Sequence, residues 1–379
     1  MNRPPNHALL GLPGGRQQMA TPALLLDLDA FEANLARMAA HCRRHGIAVR
    51  PHAKTHKSLT IARRQMAAGA VGLSCATLGE TEMLAHGGIP SILITSPVVT
   101  AANLRRLGML TAGDREVMVV VDHPDNIQAL SGLAAGLSRK LRVLIDLDVG
   151  MGRTGVVPGP AALVLADLVA AAPGLAFAGI QAYAGHLMHV PGTAAREQAC
   201  IDAMAPVAEL RRHWAQQGRT DLIFSGGGTG SFDIDPGIGV LTELQAGSYL
   251  FMERMYEGVW SGSDEAVPFQ TALWVQASVV STSRPGHATL DAGFKAVSPE
   301  AGPPPVASGL PPGSVTTYLG DEHLGVTLPP GAAVPALGTP VTLAIPHCDP
   351  TVNLHRHYHV VQGDRLIDLW PIEAAGSLP

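Results

Sequence analysis

The segment Arg50-Pro51-His52-Ala53-Lys54-Thr55-His56-Lys57 crowds one arginine, two histidines and two lysines into eight positions at the end of an apolar run that begins at Ile47. A lysine among cations is pushed toward the free amine, the form that attacks an aldehyde carbon. Strand alternation puts Arg50, His52 and Lys54 on one face. The competing reading is a solvated basic loop.

A second segment, Ser225-Gly226-Gly227-Gly228-Thr229-Gly230-Ser231, follows another apolar run, and Ala246-Gly247-Ser248-Tyr249 closes the next. Glycines expose backbone N–H groups and the hydroxyl residues add donors, the composition of a phosphate cradle. Turns use the same residues, so the glycine run alone is a weak signal. Coupled to an aldehyde-seeking lysine it points to one ligand carrying both groups, and pyridoxal 5′-phosphate does.

Further candidates lie between and beyond these segments. Arg153, in Asp146-Leu147-Asp148-Val149-Gly150-Met151-Gly152-Arg153-Thr154-Gly155, could hold a phenolate ionised or simply pair with Asp146 or Asp148. Gln181, Tyr183, His186 and His189 end another run, and two histidines three residues apart could serve as acid–base groups or metal partners. In Pro346-His347-Cys348-Asp349-Pro350, strand alternation predicts His347 and Asp349 on one face and Cys348 on the other. Such a mixed nitrogen–oxygen pair suits Mn²⁺ or Mg²⁺ completed by water. His355, His357 and His359 form a rival cluster with the same alternation.

These groups need a scaffold that brings strand ends together. Candidate strands start near Ile47, Val71, Ser91, Val117, Leu141, Ala176, Asp221 and Thr242, separated by Ala/Leu-rich segments with helical spacing such as 30–45, 161–171 and 194–217. About eight alternating units predict an α/β fold, a (β/α)8 TIM-like barrel with its chemistry at the carboxyl ends of the strands. Loops after the last two strands are where such barrels hold phosphate. Beyond Trp260 the texture becomes short alternating runs with turn residues, read as a second, mainly antiparallel β domain, and the Pro-rich stretch Pro303 to Pro312 as a surface loop. The expected division is 22–258 for the barrel and 259–379 for the β domain with the metal pair, joined by segment 1–21.

Composition agrees with a globular protein acting on small molecules. With 26 Lys+Arg against 31 Asp+Glu the formal charge is −5, which argues against nucleic-acid binding. Hydrophobic residues at 46% and charged ones at 15% can fill a large core, far from the signature of disorder. Cys42, Cys75, Cys200 and Cys348 are too dispersed for a disulfide framework. No apolar run is long enough to span a membrane and the N-terminus lacks a signal-type core, so a soluble, cytoplasmic protein is expected.

Taken in order, TPALLLDLDAFEANLARM, RPHAKTHKS, DVGMGRTGV, GIQAYAGH, SGGGTGS, ELQAGSY, DAGFKA and PHCDPTVNLH resemble the D-threonine aldolase and D-serine dehydratase-like family of fold-type III pyridoxal-phosphate enzymes, over nearly the whole chain. The resemblance implies an alanine-racemase-like barrel plus β domain, acting as a homodimer. It implies that Lys54 is the Schiff-base lysine and that Arg153 lies beside the pyridoxal phenolate. Gly228, Thr229, Gly247, Ser248 and Tyr249 fall where the family holds phosphate, with Gln181, Tyr183 and Tyr256 around the cofactor. His347 and Asp349 match the metal pair. The dehydratase branch typically has cysteine at the second metal position, where this chain has Asp349, as in the aldolases.

The chemistry implied is retro-aldol cleavage of D-threonine and related D-3-hydroxy amino acids to glycine and an aldehyde. The metal orients the β-hydroxyl, His189 or a metal-bound water takes its proton, and the cofactor ring absorbs the carbanion left at Cα. His189 is favoured over His186 by family position. The competing readings are 3-hydroxy-D-aspartate aldolase, D-serine or D-3-hydroxyaspartate dehydratase, and an alanine-racemase-like enzyme, which would leave the metal pair idle. A metal-dependent barrel without pyridoxal phosphate would be colourless. A non-catalytic pyridoxal-phosphate carrier would not need the long β region.

Overall fold

The computed structural model describes residues 4–113, 115–256, 258–260 and 267–378. Strand β1 (Ala23–Asp27) leads into helix α1 (Leu28–His45), whose first turn is capped by Asp27 Oδ1 accepting the Ala30 N–H and whose end turns at Gly46 with φ 63°. Eight parallel strands follow: β2 (Ala48–Val49), β3 (Leu73–Cys75), β4 (Ser91–Ile94), β5 (Glu116–Val121), β6 (Leu141–Leu147), β7 (Leu175–Ala182), β8 (Ile223–Gly226) and β9 (Glu243–Leu244). Between them run α2 (Leu59–Ala67), α3 (Leu78–His86), α4 (Ala101–Thr111), α5 (Pro124–Ala134), α6 (Pro160–Ala171), α7 (Thr193–Gln216) and the short α8 (Asp235–Ile238). The sheet order β2-β9-β8-β7-β6-β5-β4-β3 curls round until its two edges meet. There the N–H groups of Val71 and Ser74 donate to the carbonyls of Val49 and Pro51.

Both faces of the barrel strands are buried, which is why they read as continuous apolar runs. Leu93, Met118, Val120, Leu144 and Ala178 form a small inner cluster, while alternate residues such as Ile92, Ile94, Val119 and Val143 join the main core. Polar links also run through the barrel. Arg142 meets Glu116, Glu116 accepts from Ser91, Arg50 bridges Ser91 and Glu243, and Glu243 accepts from Ser225. Gln245 donates to Ser225 and to Gln181, which in turn donates to Asp146. Arg50 is therefore spent on a buried ion pair with Glu243 at 2.8 Å rather than aimed at a ligand beside Lys54, contrary to the expectation from alternation alone.

The second sheet contains β10 (Leu273–Ser281), β11 (His287–Leu290), β12 (Val306–Ser308), β13 (Val315–Tyr318), β14 (Leu324–Thr327), β15 (Pro340–Ala344), β16 (His357–Gln362) and β17 (Arg365–Pro371). Its path is β13-β14-β11-β10-β1-β16-β17, with β15 between β10 and β12. Strand β1, at the head of the segment expected to form the barrel, lies in this sheet, antiparallel to β10 and parallel to β16. Its residues Ala23 to Leu26 are all buried, so only a central position with both faces covered satisfies them. The N-terminal segment packs on the same sheet, Gly11 N–H donating to the Leu366 carbonyl at 2.8 Å. Part of the Pro-rich stretch is not free loop, since Val306–Ser308 pairs with β15. The four cysteines are buried thiols, and among the described residues no helix is long and apolar enough to cross a membrane.

Candidate active site

Beyond β2 the chain tightens into a single turn, Ala53–Thr55, that presents Lys54 at the barrel mouth. The Lys54 Nζ lies 3.2 Å from Asp349 Oδ2. That contact reverses one expectation: the Asp349 carboxylate, outweighing burial, raises the lysine above its ordinary range instead of neighbouring cations lowering it. The motif's other lysine is unavailable. Lys57 is buried with its Nζ 2.5 Å from Glu80 Oε1, and Glu80 Oε2 also accepts the Ala76 N–H. His56 is equally committed, its ring held between Gln65 and the Ser58 N–H, and burial lowers its pKa to about 3.

Lys54 opens into a cavity of about 220 Å³ whose wall includes His52, Thr55, Thr95, Arg153, Gln181, Tyr183, His189, Gly228, Thr229, Gly247, Ser248, Glu253, Tyr256, His347 and Asp349. His52 Nδ1 accepts the Lys54 N–H at 3.4 Å, so its proton sits on Nε2 and is donated to Thr95 Oγ1 at 3.0 Å. Burial keeps this imidazole well below its ordinary pKa, a neutral wall beside the lysine.

The glycine loops line the same cavity. A Cβ on Gly228 would stand 2.5 Å from Met188 Sδ, and one on Gly247 would stand 2.4 Å from Thr55 Oγ1, so at both positions a neighbouring side chain closes on the bare Cα. Among the described residues the N–H groups of Thr229, Gly247 and Ser248 have no protein acceptor. Together they make a donor nest of the kind that holds a phosphate. Thr229 Oγ1 is already occupied by the Tyr249 N–H at 2.8 Å. The Tyr249 ring itself turns into the core, its hydroxyl accepting from Gln65, and does not line the cavity.

Arg153 forms no ion pair with Asp146 or Asp148 among the described residues. Asp146 is engaged by Thr154 and Gln181, and Asp148 Oδ1 accepts the N–H groups of Gly150 and Gly152. The Arg153 guanidinium carbon instead lies 5.6 Å from the centre of the Tyr183 ring, at the cavity wall. Gln181 is pinned by Thr95, Asp146 and Gln245, so its amide is a fixed part of the floor. His189 faces the cavity with its ring 4.6 Å from that of Tyr256. Burial, and then His347, lower its pKa, which favours the neutral imidazole. His186 does not line the cavity and sits against Gly150.

The metal candidates come from the second sheet. His347 and Asp349 do not sit on a strand: β15 ends at Ala344, and His347 precedes the short helix α9 (Cys348–Val352). Pro350 falls within its first turn, where the missing N–H costs nothing. The turn still sends both side chains to the cavity and buries Cys348. Asp349 Oδ1 is buried with no protein partner, an acceptor a cation would satisfy. Burial opposes ionisation of Asp349, but Lys54 and then His347 outweigh it and keep the carboxyl below its ordinary range. The rival histidines are dispersed, His355 bonded to the Ala296 carbonyl and His359 to the Leu24 carbonyl. Among the described residues no group of three or more metal-type side chains occurs, so a cation here would complete its shell with water.

Sequence reasoning passed over Glu253 and Glu300. Glu253 is buried in the cavity wall and accepts the Cys348 N–H, while the N–H groups of Arg254 and Met255 donate to the carbonyls of Ile345 and Pro346. These bonds stitch the end of the barrel to the turn bearing His347. Burial, and then Asp349, raise the Glu253 carboxyl to about 7. Glu300 Oε1 lies 2.5 Å from His347 Nδ1. No motif marks either glutamate, because each acts on a segment distant in the chain.

Comparison with known proteins agrees with this geometry. The model of the alanine racemase N-terminal domain matches residues 26–255, and that of a putative serine dehydratase domain matches residues 272–361. The chain is 40% identical to a D-threonine aldolase of an Arthrobacter species over 94% of its own length and 93% of the relative's. It is 35% identical to a 3-hydroxy-D-aspartate aldolase of Paracoccus denitrificans strain Pd 1222, covering 97% of this chain and 95% of that one. The crystal structure of D-threonine aldolase from Filomicrobium marinum superposes with a TM-score of 0.91 at 36% identity, covering 96% of this chain and 98% of the other. An alanine-racemase-type barrel, its lysine facing a cavity shared with the second sheet, and these relatives along nearly the whole length lead to one assignment: the chain belongs to the D-threonine aldolase and D-serine dehydratase-like family of fold-type III enzymes.

Proposed function

We propose that this chain is a pyridoxal-phosphate- and divalent-metal-dependent aldolase that cleaves D-threonine and related D-3-hydroxy amino acids to glycine and an aldehyde. The observation that carries the reading is that the Lys54 amine and the Asp349 carboxylate, from different sheets, meet at 3.2 Å in one cavity backed by the glycine cradle. The unpartnered donors of Thr229, Gly247 and Ser248 fit a phosphate, and the orphaned Asp349 Oδ1 fits a cation. When bound, pyridoxal phosphate supplies an electron sink for the Cα carbanion and the divalent ion supplies Lewis acidity at the β-hydroxyl.

The chain's own residues do the rest. Lys54 supplies the amine for the aldehyde carbon, and Arg153 and Tyr183 border the same side. His347 and Asp349 would hold the cation, and their nitrogen and carboxylate donors favour Mn²⁺ or Mg²⁺. His189, neutral and packed against the Tyr256 ring, takes the proton from the β-hydroxyl oxygen as the Cα–Cβ bond breaks. The carboxylate at position 349 favours cleavage over loss of water, and the enzyme works as a cytoplasmic homodimer.

The test is an absorbance spectrum of the purified protein, followed by D-threonine with and without Mn²⁺, measuring acetaldehyde and 2-oxobutanoate. A visible cofactor band with metal-dependent acetaldehyde release is expected. Formation of 2-oxobutanoate would assign the dehydratase reaction instead, and a protein that stays colourless and inert after added pyridoxal phosphate would overturn the reading.

A further inference from the structure

A histidine that binds a metal through one ring nitrogen needs its other nitrogen fixed, because the imidazole can otherwise rotate and exchange tautomers. His347 meets this need in a specific way. Its Nδ1 lies 2.5 Å from Glu300 Oε1, and a carboxylate can only accept there, so the proton resides on Nδ1 and the Nε2 lone pair is left for a cation.

Glu300 is itself held. Ser298 Oγ donates to Glu300 Oε2 at 2.5 Å, and the Ser298 N–H donates to Thr351 Oγ1 on α9 at 3.2 Å. The Tyr318 hydroxyl donates to the Ser298 carbonyl at 3.2 Å, fixing the loop from the β13 side. The circuit from α9 through Thr351, Ser298 and Glu300 returns to His347 at the start of the same helix. A chance surface contact would not be braced at both carboxylate oxygens.

We propose that Glu300, which does not line the cavity, is the positioning residue that sets the tautomer and aim of His347 toward the cation. The proposal rests on the reading that His347 and Asp349 hold a divalent metal. Losing such a carboxylate partner typically weakens metal binding by about 10- to 100-fold.

The experiment titrates Mn²⁺ into the pyridoxal-phosphate-loaded enzyme at fixed pH and counts free ion by electron paramagnetic resonance. Glu300→Ala is expected to weaken Mn²⁺ binding by about 10- to 100-fold while leaving the visible cofactor band unchanged. Glu300→Gln, whose amide oxygen still accepts from Nδ1, should recover most of that loss. His347→Ala should abolish specific binding. Wild-type affinity in Glu300→Ala alongside lost binding in His347→Ala would overturn the role of Glu300 and leave the metal reading intact. Unchanged binding in His347→Ala would overturn the metal reading itself. Should Glu300→Ala not fold, Ser298→Ala, which frees only Oε2, is expected to weaken binding in the same direction, and wild-type affinity there would overturn the proposal.

Discussion

Lys54 and Lys57 have the same chemistry and stand three residues apart, yet their surroundings give them different work. Lys54 reaches the cavity, so Lys54→Ala should lose the visible cofactor band and the cleavage activity together. A Lys54→Ala protein that stayed yellow and active would remove the central assignment. Lys57→Met should leave the band in place but strand the buried Glu80 carboxylate, costing about 3–5 kcal/mol in a denaturant titration. At position 349, Asp349→Ala should keep the cofactor band and lose metal-stimulated cleavage. Undiminished wild-type activity in the presence of a strong chelator would contradict the role given to this carboxylate.

The elements set how closely groups can approach. Gly247 lies in the turn after β9 with an unstrained φ of −119°, so what a methyl group would meet there is the Thr55 hydroxyl at 2.4 Å. Gly247→Ala should therefore weaken cofactor binding by about 1–3 kcal/mol through overpacking, measured as the pyridoxal phosphate concentration that restores the visible band. Strand β16 carries a different constraint. His359 Nδ1 donates to the Leu24 carbonyl, while Nε2 accepts from Asn6 Nδ2, because Asn6 Oδ1 is taken by the Ala20 N–H. Burial lowers the His359 pKa to about 4, so between its ordinary value of 6.5 and that point the unfolded chain takes a proton that the folded one refuses. Stability from this site is whole above pH 6.5 and is lost as pH falls toward 4. His359→Gln should lose less stability than the wild type over that window, and parallel curves would show that the histidine does not carry the effect.

At the scale of the molecule, the site exists because two sheets are locked together. Strand β1 joins the second sheet before the chain enters the barrel, and the segment after Met252 bonds back to 345–348 through Glu253, Arg254 and Met255. Of the three non-glycine residues at positive φ among those described, Met252 at 51° lies where the chain turns into the second of these locks, and Lys57 at 52° offers its carbonyl to the Ala374 N–H. The distance between the Lys54 amine and the Asp349 carboxylate is thus a property of the interface between sheets, not of either sheet. The metal-binding experiment on Glu300 probes only the second-sheet side of the cavity, since Glu300, Ser298, Thr351 and His347 all belong to that region.

What the sequence alone determined is local. Buried parallel strands leave continuous apolar runs, helices leave their spacing, and all eight barrel strands and the three named helices occur within a few residues of where those patterns put them. Lys54, the glycine-rich loops and the His347–Asp349 pair stood out as short motifs whose composition suggests chemistry, and the fold brings all of them to one cavity. Tertiary structure decided what depends on partners far away in the chain. It sent Arg50 to Glu243, turned the Tyr249 ring into the core, wound 348–352 into a helix where alternation predicted a strand, and moved β1 to the second sheet. It also raised the Lys54 pKa that the local sequence alone would lower, because a carboxylate 295 positions away counts for more at 3.2 Å than the cations of the lysine's own segment.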